Sequence, residues 1–224
     1  MSDMLSHFTL NWYAVPVAIV STLILFVGVF VYVQNRKSPA NLSFFIICLC
    51  VNLWLYGISL VYSAQDPVRA LALYRTLPFL GVAFVSSCVY WFSVVWLRLY
   101  EKQRRLVFLA LAGSLFFYAG GLLSGASFRG VHKYFWGYYP QYGGLNYLFL
   151  AFFFAVFFGA FTNFYRAYLG ESDPIRKTQI KFIAIAFLIS FTGSVDYLPK
   201  LIYAPIYPLG YLCVFFWIMT VAYA

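Results

Sequence analysis

Charge is scarce in this chain. Asp, Glu, Lys and Arg make up 9% of its 224 residues, against about 25% in soluble domains. Acids are the rarer sign, with six Asp and Glu beside fifteen Lys and Arg. Histidine is nearly missing: His7 and His132 are the only two, and they lie far apart. These shortages exclude much chemistry. Catalysis inside a membrane needs paired acids or a histidine cluster, and the apolar runs hold neither, nor a nucleophile beside a base. No glycine-rich phosphate loop occurs, and no group of side chains has metal-ligand spacing. The chain reads as a non-enzyme without catalytic residues, metal or cofactor.

Cysteine is sparse as well. Cys48, Cys50, Cys88 and Cys213 all fall in apolar runs, whereas a disulfide framework would sit in loops on an oxidising side. They read as small packing residues. Cys48 and Cys50 are two apart and point to different faces of a helix, which argues against a shared metal. A cleavable signal is also missing. The first eleven residues carry no Lys or Arg, and the apolar run that follows is too long for a signal core.

What is abundant is apolar. Hydrophobic residues make up 64% of the chain, aromatics 23%, and mean hydropathy is +0.83. Such a chain has nowhere in water to put its surface, so its solvent is lipid. The net charge of +9 suggests nucleic acid at first sight. The basic residues lie in short loops between apolar spans, however, where they set topology and meet anionic head groups. Membrane lipids, not nucleic acid, are the expected partners.

Seven spans are predicted, at about residues 12–33, 43–63, 67–97, 106–123, 145–168, 174–198 and 205–224. The fold class is an all-α membrane protein, one seven-helix bundle over residues 1–224. Asp66-Pro67 and Asp173-Pro174 suit helix starts, because the carboxylate accepts from free N–H groups and proline lacks the donor it would waste. Pro78 is expected to kink the third span. Asn52, midway along the second, needs a partner on another helix. The aromatic stretch Tyr134 to Pro140, in the longest loop, is expected to lie on the interface or the mouth of the bundle. Loops one-two, three-four and five-six hold ten of the fifteen basic residues, among them Arg36, Lys37, Arg98, Arg104, Arg176 and Lys177. The positive-inside rule then puts the N-terminus outside and the C-terminus in the cytoplasm.

Two charges stand out. Arg75 and Asp196 both fall near the outer face, and charge at that depth is costly and usually paired or functional. The plain reading is a salt bridge, or two side chains snorkelling to the interface. The sharper reading makes them the polar floor of an outward-facing pocket. Its walls are Trp54, Tyr74, Tyr147, Tyr197, Tyr207 and Tyr211, the aromatic mix that small-ligand pockets carry. A retinal protein is excluded, since residues 205–224 contain no lysine and Lys200 precedes them. A small-molecule or lipid transporter is the alternative. It would show repeat symmetry or broken helices, and the two Asp-Pro starts are the one correspondence.

Several segments together carry a resemblance. They are the tight connection between spans two and three, Trp136 to Pro140, Arg176-Lys177-Thr178-Gln179, Gly193 to Pro199, and Pro205 to Gly210. With an outside N-terminus, the chain resembles the seven-helix sensor region at the N-terminus of many bacterial histidine kinases and some diguanylate cyclases. The resemblance covers nearly the whole chain. It implies a sensory domain of the bacterial inner membrane, an unknown small ligand, a cytoplasmic signalling module after the last span, and a homodimer. It brings no ligand-binding residue with it.

Overall fold

The structure, a computed structural model, describes residues 9–223. His7, and Ala224 at the predicted end of the seventh span, lie outside them. The helices are α1 (Ala14–Gln34), α2 (Pro39–Ser63), α3 (Pro67–Thr76), α4 (Pro78–Trp96), α5 (Tyr100–Leu123), α6 (Gly144–Gly170), α7 (Pro174–Thr192), α8 (Leu198–Ile202) and α9 (Gly210–Tyr223). A two-stranded antiparallel hairpin, β1 (Phe128–Tyr134) and β2 (Gly137–Tyr142), lies between α5 and α6. Among the described residues, six helical stretches are long and apolar enough to cross a membrane, with α3–α4 forming one and α7–α8 another; α9 is apolar but shorter.

Local chemistry explains the helix starts. The carboxylates of Asp66 and Asp173 accept from the N–H groups of Arg69 (2.9 Å) and Ile175 (3.1 Å), each with proline next. Ser38 does the same for α2, accepting from Asn41 N–H at 3.3 Å. Pro78 divides the third span into α3 and α4, since it cannot donate. The backbone almost bridges the gap, with Leu77 N–H on Leu73 O at 3.1 Å and Gly81 N–H on Leu77 O at 3.2 Å.

Each span packs against its neighbour in sequence, and α9 closes the ring by lying on α7 and α1. The central member is α4, which meets α2, α5 and α6. Its buried face is rich in small residues (Gly81, Ala83, Ser86, Ser87 and Ser93), which let helix backbones approach closely in a membrane. Polar side chains tie neighbours together. Asn52 donates to Ser21 Oγ at 2.8 Å, the interhelical bond expected of it. Ser87 and Ser114 meet at 2.7 Å, and the amides of Gln103 and Asn163 pair in both directions at 3.0 Å. The cysteines are free, all four in helices.

Three expectations change. The chain is not purely helical, because the aromatic loop folds as the hairpin, laid over the mouth of the bundle. The sixth span runs on to Ile202, but its α-helix tightens into a 3-10 turn after Thr192. The seventh begins its helix at Gly210 instead of Pro205, because prolines 205 and 208 supply no N–H.

Candidate functional site

The change of helix type in the sixth span creates the most unusual geometry. Ser190 and Thr192 turn their hydroxyls back onto the carbonyls of Phe187 (2.9 Å) and Ile189 (2.6 Å), a local bond that bends helices. Gly193 follows, and Gly193–Tyr197 tightens into a 3-10 turn. The short α8 then ends at Tyr203, a left-handed residue with φ 58°. Asp196 sits in the turn, 8% exposed. Both its carboxylate oxygens accept from Gly210 N–H at 3.0 Å. A helix start has free N–H groups and a positive dipole end, so Asp196 caps α9 from fourteen residues away. Only glycine fits at 210, since a Cβ there would run into the Asp196 carboxylate.

Four residues on lies Lys200, 1% exposed. Its Nζ lies 4.8, 5.1, 5.4 and 6.0 Å from the ring centroids of Tyr197, Tyr139, Tyr142 and Tyr74. These are cation–π distances, and four rings enclose one ammonium. Nζ has no hydrogen-bond partner among the described residues. No ion pair with Asp196 forms within 4.0 Å; the carboxylate is the nearby opposite charge without touching. The hairpin supplies two of the rings and bolts itself to the same segment. Tyr139 donates to Asp196 O at 3.3 Å, and Tyr134 and Gln141 donate to Pro199 O at 2.9 and 3.0 Å. Burial pushes the Tyr139 and Tyr142 phenols well above their ordinary value, so both remain O–H donors at neutral pH.

Beneath this layer, in the middle of the ring, lies a cavity of about 60 Å³. Trp54, Phe153, Phe157, Tyr197 and Trp217 form most of its aromatic wall, and Gly193 and Gly210 form its roof. A second space of about 10 Å³, room for roughly one water, separates Asp196 from Trp54, Tyr62 and Tyr211.

The predicted residues divide. Trp54, Asp196, Tyr197 and Tyr211 come together around these two spaces. Tyr207 stands beside them, packed on Tyr62 and Tyr211 and donating to Tyr13 O at 2.9 Å. Tyr74 belongs to the lysine cage and meets Tyr142 hydroxyl to hydroxyl at 3.4 Å. Tyr147 is 46% exposed on α6 and lines neither space. The expected partnership of Arg75 with Asp196 does not form. Arg75 lies over the Phe128 ring at 5.9 Å instead, because the hairpin inserts its first strand beside α3. The cation near Asp196 is Lys200. Its signal was the i, i+4 spacing from Asp196, obscured by a proline between them that reads as the end of a helix.

Residues 16–224 match the N-terminal 7TM region of histidine kinase. The chain belongs to this family. The 7TM region is the membrane sensory part of two-component signalling kinases and is not their catalytic part. This 7TM region is therefore a multi-pass membrane sensory region. Among curated proteins, none matches it.

Proposed function

We propose that this 7TM region binds a small apolar or amphipathic molecule, or a lipid, in the half of the bundle nearest the hairpin, and relays its presence through α9. The basic ends of the helices face the cytoplasm, in accord with the positive-inside rule, so α9 leads there to a signalling module. The membrane is the bacterial inner membrane. The seven spans and the hairpin act as one sensory unit, and two copies pair as signalling kinases do. Arg75 serves the hairpin and Tyr147 the lipid face; Trp54 and Tyr197 line the bound molecule's cavity, and Asp196, Tyr207 and Tyr211 support it from behind.

One observation carries this reading: the cavity is roofed by the two glycines at which the 3-10 turn of the sixth span meets the start of α9. A Cβ built on Gly193 would lie 3.2 Å from Gly210 Cα, so the joint has no slack. A molecule that fills the cavity in one arrangement of α7 and α9 better than in another shifts the balance between them.

The test is a distance. Ile175 and Tyr223 are exposed and border one surface groove at the basic end of α7 and α9. Spin labels at these positions, in lipid nanodiscs, report the separation against a panel of lipids and apolar metabolites. A bound ligand is expected to move it by about 1–2 Å, the scale of helix shifts in switching proteins. If no compound moves it, the relay fails.

A further inference from the structure

We propose that the cavity at the joint of α7 and α9 takes a neutral, unbranched molecule bearing one hydrogen-bond-accepting oxygen, of the class of medium-chain ketones and alcohols. This rests on the receptor reading above and names its ligand class.

Charge is excluded first. Among the described residues, no charged side chain lines the cavity. Asp196, the nearest acid, has both oxygens engaged by Gly210 N–H and faces the other, smaller space. A carboxylate or ammonium would lose its water and find no counter-charge. Shape is decided next. A cavity of about 150 Å³ accepts benzene, and this one has about 60 Å³. The end of a chain fits where a ring does not. On the side between α6 and α7 the wall is Phe154, Ser190 and Phe191, with Phe191 40% exposed on the outer face of the bundle. The rest of a chain leaves there, among lipid tails.

The oxygen follows from Trp217. Its indole lines the cavity and is 3% exposed, yet Nε1–H has no hydrogen-bond partner among the described residues. Buried N–H groups are almost always paired. Ser190 is no donor in competition, because its hydroxyl is spent on Phe187 O. A carbonyl or hydroxyl oxygen near the chain end completes Trp217. The same position presses the chain against Gly193 and Gly210.

The experiment uses the protein in nanodiscs of phosphatidylethanolamine and phosphatidylglycerol, titrated with 2-decanone, decane or decanoate at pH 8. Thermal unfolding and tryptophan fluorescence report binding. The ketone is expected to bind saturably and decane roughly threefold to tenfold more weakly, the worth of one hydrogen bond. Decanoate is expected to do nothing. Trp217→Phe should reduce the ketone to the level of decane, and Val214→Phe should abolish both. Val85→Ile is the milder filling variant if Val214→Phe does not fold, and it should weaken both. Decanoate binding as well as the ketone would overturn the assignment. So would a ketone preference that survives Trp217→Phe, or saturable binding that survives both filling variants. The label distance separates the two ideas. Ketone binding that leaves it unmoved defeats the relay and spares the site. A distance change indifferent to Trp217→Phe spares the relay and defeats the site.

Discussion

Asp196 and Lys200 are two buried charges with different duties. The acid holds the start of a helix; the base fills a ring of tyrosines. Removing one member of a buried charge set leaves the other uncompensated, at a cost of roughly 3 kcal/mol, whereas replacing the whole set by apolar residues of similar volume is close to neutral. Asp196→Ala and Lys200→Met should therefore each lower the unfolding temperature sharply. The double variant should recover part of the loss, as measured in a double-mutant cycle by thermal unfolding in detergent. Strictly additive losses would mean that the two charges do not sense each other. Asp196 was legible in the sequence because it is a lone acid in an apolar run. Its partner was not. Arg75 offered itself as the only other deep charge, and nothing local reveals that Phe128 will take it. Lys200 stands behind Pro199, and three of its four tyrosines, Tyr74, Tyr139 and Tyr142, come from elsewhere in the chain.

At the scale of elements, the long apolar runs announce themselves, while the hairpin does not. Strand β2 is buried along nearly its whole length, and β1 mixes buried and exposed positions without strict alternation, so no period of two is visible. What holds the hairpin is long-range. Asn11 donates to Tyr62 O at 2.8 Å and to Trp136 O at 2.7 Å, strapping the turn to the end of α2. Gly137 has φ +128°, and a Cβ there would lie 2.5 Å from Tyr62 O. Gly137→Ala should lift the tip, and Asn11→Ala should loosen it by about 1–3 kcal/mol, two hydrogen bonds' worth. Hydrogen exchange over residues 128–142 reads both. Protection equal to that of the unaltered chain would mean the strap is ornamental. The helix ends misread from sequence have two causes. Glu101, Lys102, Arg104 and Arg105 lie in the first turns of α5, which starts at Tyr100, because a helix tolerates charge once it leaves hydrocarbon. Pro205 and Pro208 delay α9 until a side chain from another segment can cap it.

For the molecule as a whole, orientation decides what the hairpin meets. A membrane-impermeant maleimide applied to intact cells should label Phe135→Cys, on the exposed hairpin tip, and spare Lys37→Cys in the first basic loop. The reverse pattern would invert the receptor. The outward orientation proposed above would give the hairpin a further meaning. Trp136, Tyr139 and Tyr142 close the aqueous end of the bundle with buried rings. In that orientation solutes would not descend from the water above; they would arrive sideways, already dissolved in fat. Such a receptor would meter the oil phase. Its dose–response curve would shift with the amount of membrane in the sample, and potency along a homologous series would climb with oil–water partition until the chain outgrows the bilayer.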